Sequence, residues 1–232
     1  MTAHEFKMAR KGRGWTQNDV GRHLGVSQTY VALLERGKRN FPAKLARKAV
    51  TALELSPVLL PLRTEILRAE IKAETLARWL AALGYPGFAY LRPLRKRNPA
   101  EVLLTALAQA NLESRLAEAL PWLMLNYSEM TDVCREWLLD QCRLRNLTNR
   151  LGFVVSTAKQ VLENRGETTS QRYRRLAQME QQLFPSRLAE EDTLCQASLS
   201  HSERAWLMEN RPETARTWNV LTDWKPEHLQ YA

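Results

Sequence analysis

The sequence has little cysteine and little glycine, and it contains no long apolar run. Its 232 residues include 3 cysteines and 9 glycines. No apolar stretch approaches the ~18 residues of a transmembrane helix, so we expect no membrane span. The first residues, MTAHEFKMARKGRG, lack the apolar core of a secretory signal, which predicts a cytoplasmic protein. The length allows one large domain or two modest ones.

The usual signatures of catalysis and metal binding are also lacking. There is no glycine-rich phosphate loop and no nucleophile elbow, and the histidines do not form a metal-binding pair. Cys134, Cys142 and Cys195 are irregularly spaced, so we expect reduced, buried thiols, whereas a disulfide or zinc site would need further partners. We therefore expect no catalytic residue, no metal and no cofactor, and we expect that the protein is not an enzyme.

Positive charge is concentrated in the first 98 residues. Residues 1–55 carry 11 lysines and arginines against 4 acidic residues, and residues 56–98 carry 8 against 3. Residues 99–232 carry 15 against 18, although the formal net charge of the chain is +9. A basic front joined to a slightly acidic rear favours a polyanion-binding module attached to a part with another partner. The alternative is a solvated basic surface without a partner.

The most informative stretch is Thr16–Arg39, TQNDVGRHLGVSQTYVALLERGKR. Gly21 stands where two helices would cross closely, and Gly25 stands where the chain must turn through a positive φ. Ser27 is a suitable N-cap for the helix that follows. The apolar positions that would clamp the two helices together are Val20, Leu24, Val26, Val31 and Leu34.

This pattern resembles the helix-turn-helix of the Xre, or Cro-like, phage-repressor family. The resemblance implies a repressor-like bundle whose second helix, Ser27–Arg36, enters the major groove of double-stranded DNA. At the start of that helix, the amide of Gln28 can pair with adenine N6 and N7, and Thr29 can offer a hydroxyl or a methyl group. The resemblance further implies that Gln17 donates to a phosphate. Because the basic excess lies on the same segment, nucleic acid is the better account of the charge.

Other candidate contacts flank this helix. We expect backbone contacts just past it, and Arg10, Lys11 and Arg13 are candidates for the flank. The residues that we assign to DNA contact are Gln17, Ser27, Gln28, Thr29, Tyr30, Lys38, Arg39 and Asn40. Tyr30 can either pack between the helices or contact a phosphate or base edge. Leu33 departs from the family pattern, since many relatives carry a polar or basic residue there. It either contacts a thymine methyl or packs inward.

The chain is predicted to be all-α, with a four- or five-helix bundle over residues 1–56. The helices expected in it are His4–Lys11, Thr16–Leu24, Ser27–Arg36 and Pro42–Leu53. Residues 57–99 are predicted to hold a long helix from about Leu62 to Leu83, then a basic linker, Gly84–Pro99, that is either a hinge or a loop lying on the bundle.

Residues 100–232 are predicted to form a larger helical domain for dimerisation or partner binding. Its apolar periodicity indicates a helix near Leu147–Leu162, although LGFVV within it is also compatible with a short strand. Ser200 and Glu203 fit a capping box. The aromatic last twenty residues are expected to pack on their own domain or on a partner.

A single helix-turn-helix covers one half-site, so we expect a homodimer on an inverted repeat. The stretch Ala119–Val161 is similar to the C-terminal domains of antitoxins that accompany nucleotidyltransferase-like toxins. That resemblance implies a repressor of its own operon that also neutralises a toxin, a role in which the tail would reach the toxin. A stand-alone dimeric regulator that dimerises or senses a ligand through the rear domain is the alternative. An enzyme with a DNA-targeting module has no supporting constellation.

Overall fold

The computed structural model describes residues 1–62 and 70–231, and almost all regular secondary structure in these residues is helical. They contain twelve α-helices and two strands of two residues each, which confirms the all-α prediction. The chain divides into two compact units, Met1–Glu65 and Ile66–Ala232. No helix in the described ranges is long and apolar enough to cross a membrane.

The first unit is built from four short helices. These are α1 (Ala3–Gly12), α2 (Gln17–Leu24), α3 (Gln28–Glu35) and α4 (Ala43–Ala52). Each lies within one or two residues of its predicted bounds, which is the ordinary uncertainty of helix ends. A 3-10 turn, Pro57–Leu59, follows them.

Local capping explains why the helices begin and end where they do. Thr16 and Asp19 form a capping box at the start of α2, so the first backbone N–H groups of that helix are satisfied. Gly25 ends α2 with φ 72°, a conformation that costs glycine little. The Ser27 hydroxyl then accepts a hydrogen bond from the Tyr30 N–H at 3.2 Å. The predicted turn and cap are therefore confirmed.

Two features hold α2 against α3. A Cβ on Gly21 would lie 2.8 Å from the carbonyl oxygen of Val26, so this position admits no side chain without a shift of the backbone. Val20, Leu24, Val31 and Leu34 are buried in one cluster, and Val26 packs against it. The predicted apolar clamp between the two helices is confirmed.

The segment before the second unit's first helix differs from the prediction. Helix α5 spans Ala73–Leu83, and residues 70–72 are not helical, so the helix predicted to begin at Leu62 is wrong in the described part. Residues 63–69 of that prediction lie outside the described residues. Gly84–Pro99 is a loop that packs on helices of the second unit, where Tyr85 and Phe88 are buried, so the hinge alternative is wrong.

The rest of the second unit surrounds one central helix. Its other helices are α6 (Pro99–Leu107), α7 (Ser114–Tyr127), α8 (Asp132–Arg143), α9 (Thr148–Asn164), α10 (Gln171–Leu183), α11 (His201–Asn210) and α12 (Glu213–Thr217). Twelve of the seventeen residues of α9 are buried, as expected for a helix covered on most sides. LGFVV lies within α9, so the strand alternative is wrong. The predicted capping box of Ser200 and Glu203 opens α11.

The C-terminal segment packs on its own unit. Strand β1 (Asp192–Thr193) pairs in parallel with strand β2 (Val220–Leu221). The Trp218 side chain is fully buried, and its indole N–H donates to the Ser156 hydroxyl at 2.7 Å. The Tyr231 ring lies edge-on to Tyr85, with centroids 5.5 Å apart. Of the two alternatives for the last twenty residues, the structure therefore shows packing on their own domain.

The cysteines are buried and unpaired, as predicted. Burial raises the pKa of Cys134 and of Cys195 to about 11, and it raises the pKa of Cys142 to about 12. Such thiols stay protonated near neutral pH, and a protonated thiol is a poor nucleophile and a poor metal ligand.

Candidate DNA interface

The N-terminal end of α3 presents polar side chains to the solvent. Ser27, Gln28 and Thr29 are exposed, while Val31 and Leu34 of the same helix are buried in the core of the unit. One face of α3 is therefore held in the core, and the N-terminal part of the opposite face is polar and exposed. Its first turn also carries the positive end of the helix dipole, which favours contact with phosphate. An exposed, rigid helix end of this kind is what major-groove reading requires.

A buried ion pair joins α1 to α3 behind this surface. The Arg10 guanidinium donates to both carboxylate oxygens of Glu35, at 2.5 and 3.1 Å, and also to the Trp15 carbonyl at 2.6 Å. The Glu35 side chain is 3% exposed. Burial opposes ionisation of this carboxyl, but the hydrogen bonds from Arg10 and Gln17 outweigh it, and the pKa of Glu35 is lowered.

Gln17 is connected to the same carboxylate. Its side-chain amide donates to Glu35 Oε2 at 2.9 Å, so the side chain is held at the start of α2. An amide nitrogen carries two hydrogens, and the second is left for another acceptor. The phosphate contact that the family resemblance implies for Gln17 stays a prediction, now with a defined position for the donor.

The predicted flank needs a correction. Arg10 is buried and committed to Glu35 and Trp15, so its guanidinium does not reach a flanking phosphate. Arg13 is partly committed, because it donates to the Leu53 carbonyl at 3.1 Å and pairs with Glu54 at 2.7 Å. Lys11 is exposed and is compatible with a flank contact.

The turn after α3 places three exposed polar residues in sequence. Gly37 has φ 68°, and the Lys38 N–H donates to the Leu33 carbonyl at 3.0 Å, which is the hydrogen bond of a Schellman cap. Lys38, Arg39 and Asn40 follow this cap and are all exposed, so they are accessible to a DNA backbone.

Sequence reasoning did not include Arg36 among the candidate contacts. This residue caps the C-terminus of α3 and is exposed. It follows Thr29 by seven positions, which is close to two helical turns, so both lie on the same side of the helix. That spacing was visible in the sequence and was the signal that could have found it.

Tyr30 and Leu33 occupy intermediate positions. Both are half-buried, and the Tyr30 ring packs against the core of the first unit. Within residues 1–62, Leu33 is neither in that core nor among the side chains packed on it. The structure thus favours packing for Tyr30, and the thymine-methyl contact of Leu33 stays a prediction.

Comparison with protein families identifies the class of this domain. Residues 6–60 match a family model described as helix-turn-helix, and the matched range covers most of α1 and all of α2 to α4. The match supports a DNA-binding transcriptional regulator. Comparisons with curated proteins and with solved structures give no match.

Proposed function

We propose that the protein is a sequence-specific repressor that binds double-stranded DNA through α3. The observation that carries the proposal is the exposed pair Gln28 and Thr29 at the front of a helix whose opposite face is buried. A bidentate amide contact to adenine and a methyl or hydroxyl contact to thymine suit these two side chains. Lys38, Arg39, Asn40 and Gln17 add sequence-independent backbone contacts.

We further propose that the protein binds as a homodimer to an inverted repeat. One helix-turn-helix reads one half-site, and two-fold symmetry places two such helices about one helical turn apart, roughly 10 base pairs. Doubling the contacts in this way raises affinity without a larger reading surface.

For the second unit, we propose an antitoxin role in which it binds and neutralises a cognate toxin while the first unit represses the shared operon. The support is the resemblance of Ala119–Val161 to such domains together with two exposed apolar side chains on α11. Trp206 is 54% exposed and Met208 is 47% exposed, and they lie on either side of the buried Leu207. Large apolar side chains of this kind are enriched where proteins meet. These two side chains, rather than the packed C-terminal tail, are the proposed toxin contacts.

The proposal assigns binding and no catalytic step to this chain. The three thiols are buried and have raised pKa values, which does not suit a nucleophile. The exposed groups that we invoke are donors, acceptors and apolar side chains, and all of them act by contact.

Selection of duplexes from a random pool by the full-length protein tests the DNA proposal. We expect an enriched inverted repeat with half-site centres roughly 10 base pairs apart. Sequence-indifferent recovery of the pool contradicts the proposal.

Affinity capture from the native cells tests the antitoxin proposal. We expect a small nucleotidyltransferase-like protein, encoded beside this gene, to be captured and to lose its toxicity in complex. Trp206→Ser with Met208→Ser should abolish capture. Val133→Ser with Leu144→Ser is the matched control, because those side chains are also exposed and apolar, and it should leave capture unchanged. Capture of a second copy alone favours the stand-alone dimeric regulator.

A further inference from the structure

The second unit carries a compact group of cations on the loop between α5 and α6. Arg92, Arg95 and Lys96 are all exposed, and Tyr90 beside them is 69% exposed. None of the ion pairs within residues 70–231 involves these three cations. We call Tyr90, Arg92, Arg95 and Lys96 the basic loop.

The backbone of the basic loop is fixed at its N-terminal end. Tyr85 is buried and packs edge-on to Trp122, with ring centroids 5.3 Å apart. Phe88 is also buried, and the Leu91 N–H donates to its carbonyl at 3.0 Å. The loop therefore starts from a packed aromatic cluster.

The middle and the far end are fixed as well. The Arg78 guanidinium of α5 donates to the Arg92 carbonyl at 3.0 Å, and the Leu94 N–H donates to the Arg78 carbonyl at 3.3 Å. The Arg97 guanidinium lies 3.7 Å from the centre of the Trp79 ring. Asn98 is buried and caps α6. These contacts order the loop before any ligand binds.

The repulsion among the three cations of the basic loop costs free energy, and a bound polyanion reduces that cost. Three like charges within five residues repel one another, and none of the three forms an ion pair within residues 70–231. A polyanion that binds all three relieves the repulsion, and a preordered loop loses little further entropy on binding. An exposed tyrosine adds a hydroxyl donor and a flat ring beside the cations.

We propose that the basic loop is a second DNA-backbone contact, which grips phosphates outside the bases that α3 reads. This inference rests on the proposed DNA-binding function. The two units belong to one chain, so DNA bound by the first unit is held at a raised effective concentration for the second. Residues 99–232 carry 15 basic against 18 acidic residues, so the loop gives the second unit a surface that suits phosphate.

The salt dependence of binding tests the proposal. The variant is Arg92→Gln, Arg95→Gln and Lys96→Gln in the full-length chain, and the probe is a fluorescent random-sequence duplex of about four helical turns. Each lost phosphate contact lowers the slope of log affinity against log salt by about 0.9. We expect a loss of about 2 to 3 slope units per bound chain, measured by anisotropy between roughly 50 and 200 mM salt.

The matched control removes the same charge elsewhere on the second unit. Arg165, Arg172 and Arg174 are exposed, and the triple glutamine variant at these positions should keep the wild-type slope. Arg95→Gln with Lys96→Gln is a milder loop variant, expected to lose about 2 slope units, and it serves if the triple variant misfolds by circular dichroism.

Several outcomes overturn the proposal. One is an unchanged slope in the loop variants, and another is an equal loss in the control variant. Loss of binding to phosphatidylserine vesicles, or of toxin capture, with an unchanged slope on DNA assigns the loop to another partner and also overturns it. A wild-type protein that selects no sequence from the random pool contradicts the proposed repressor function, while the slopes on the random duplex still decide the role of the loop.

Discussion

At the scale of single residues, Glu35 links α1, α2 and α3 of the first unit through Arg10 and Gln17. Glu35→Gln removes the charge that compensates Arg10 and leaves a buried guanidinium without its partner. We expect a loss of about 3 kcal/mol in the free energy of unfolding of residues 1–62. Hydrogen–deuterium exchange of peptides from that unit measures it. Arg10→Met with Glu35→Leu is the control, since an apolar pair should recover much of the loss.

The same carboxyl predicts a pH dependence. Its folded-state pKa is lowered from the ordinary value of 4.5, so the ionised form stabilises the fold above pH 4.5. That stabilisation is lost as the pH falls through the folded-state pKa. We expect the hydrogen-exchange protection of the first unit to decline as the pH falls below 4.5. Glu35→Gln should lack that component, and an equal decline in both proteins contradicts the assignment.

The proposed contacts to bases and to the DNA backbone should be separable by single substitutions. Gln28→Ala should relax base preference by ~1–3 kcal/mol at one position of the selected site. Lys38→Ala or Arg39→Ala should instead weaken binding to all sequences alike and reduce the salt slope by about one unit each. Competition with single-base variants of the selected duplex measures both effects. Full discrimination by the Gln28 variant shows that α3 is oriented differently.

At the scale of elements, the crossing of α2 and α3 depends on a glycine. Gly21→Ala places a Cβ 2.8 Å from the Val26 carbonyl oxygen, so the backbone must shift, at a cost of about 1–3 kcal/mol. Gly12→Ala is the control, because a Cβ there meets nothing within 4 Å and alanine is the better helix former. It should leave exchange protection of the first unit unchanged or slightly raised.

The helices of the first unit were predictable because their signals are local. Thr16, Gly25 and Ser27 each act within a few residues of the chain, and a cap or a left-handed turn looks the same in sequence and in structure. Once these residues define where α3 begins, the exposure of Gln28 and Thr29 in its first turn can be predicted too. The position of most candidate contact residues could therefore be predicted from the sequence.

The features that the sequence did not predict depend on distant partners. Arg10 and Glu35 are 25 residues apart, and neither one by itself distinguishes a buried pair from two surface charges. Strands β1 and β2 are too short to show a period, and they pair across α11 and α12. The helix predicted from Leu62 rested on apolar spacing that begins in earnest only at Leu76. For the ion pair and the strands, tertiary contact, rather than local propensity, decides the outcome.

At the scale of the whole molecule, the two units should unfold separately, because each has its own core. We expect two calorimetric transitions. Gly21→Ala should lower only one of them. Gly152→Ala places a Cβ 2.2 Å from the Trp218 ring and should lower only the other, by about 1–3 kcal/mol of stability. A single transition that both variants move contradicts this division.

The packing of Trp218 against Gly152 also affects the order in which parts of the chain can fold during synthesis. The indole follows its hydroxyl partner, Ser156, by 62 residues, and at ~5–20 residues per second a ribosome needs roughly 3–12 s to add them. During that interval, α9 has been made but lacks the side chain that fills its surface. The α-helices of the first unit end at Ala52, so this unit needs no later segment of that kind. The first unit of a newly made chain should therefore fold before the second unit is complete, and until then the second unit should be open to proteolysis.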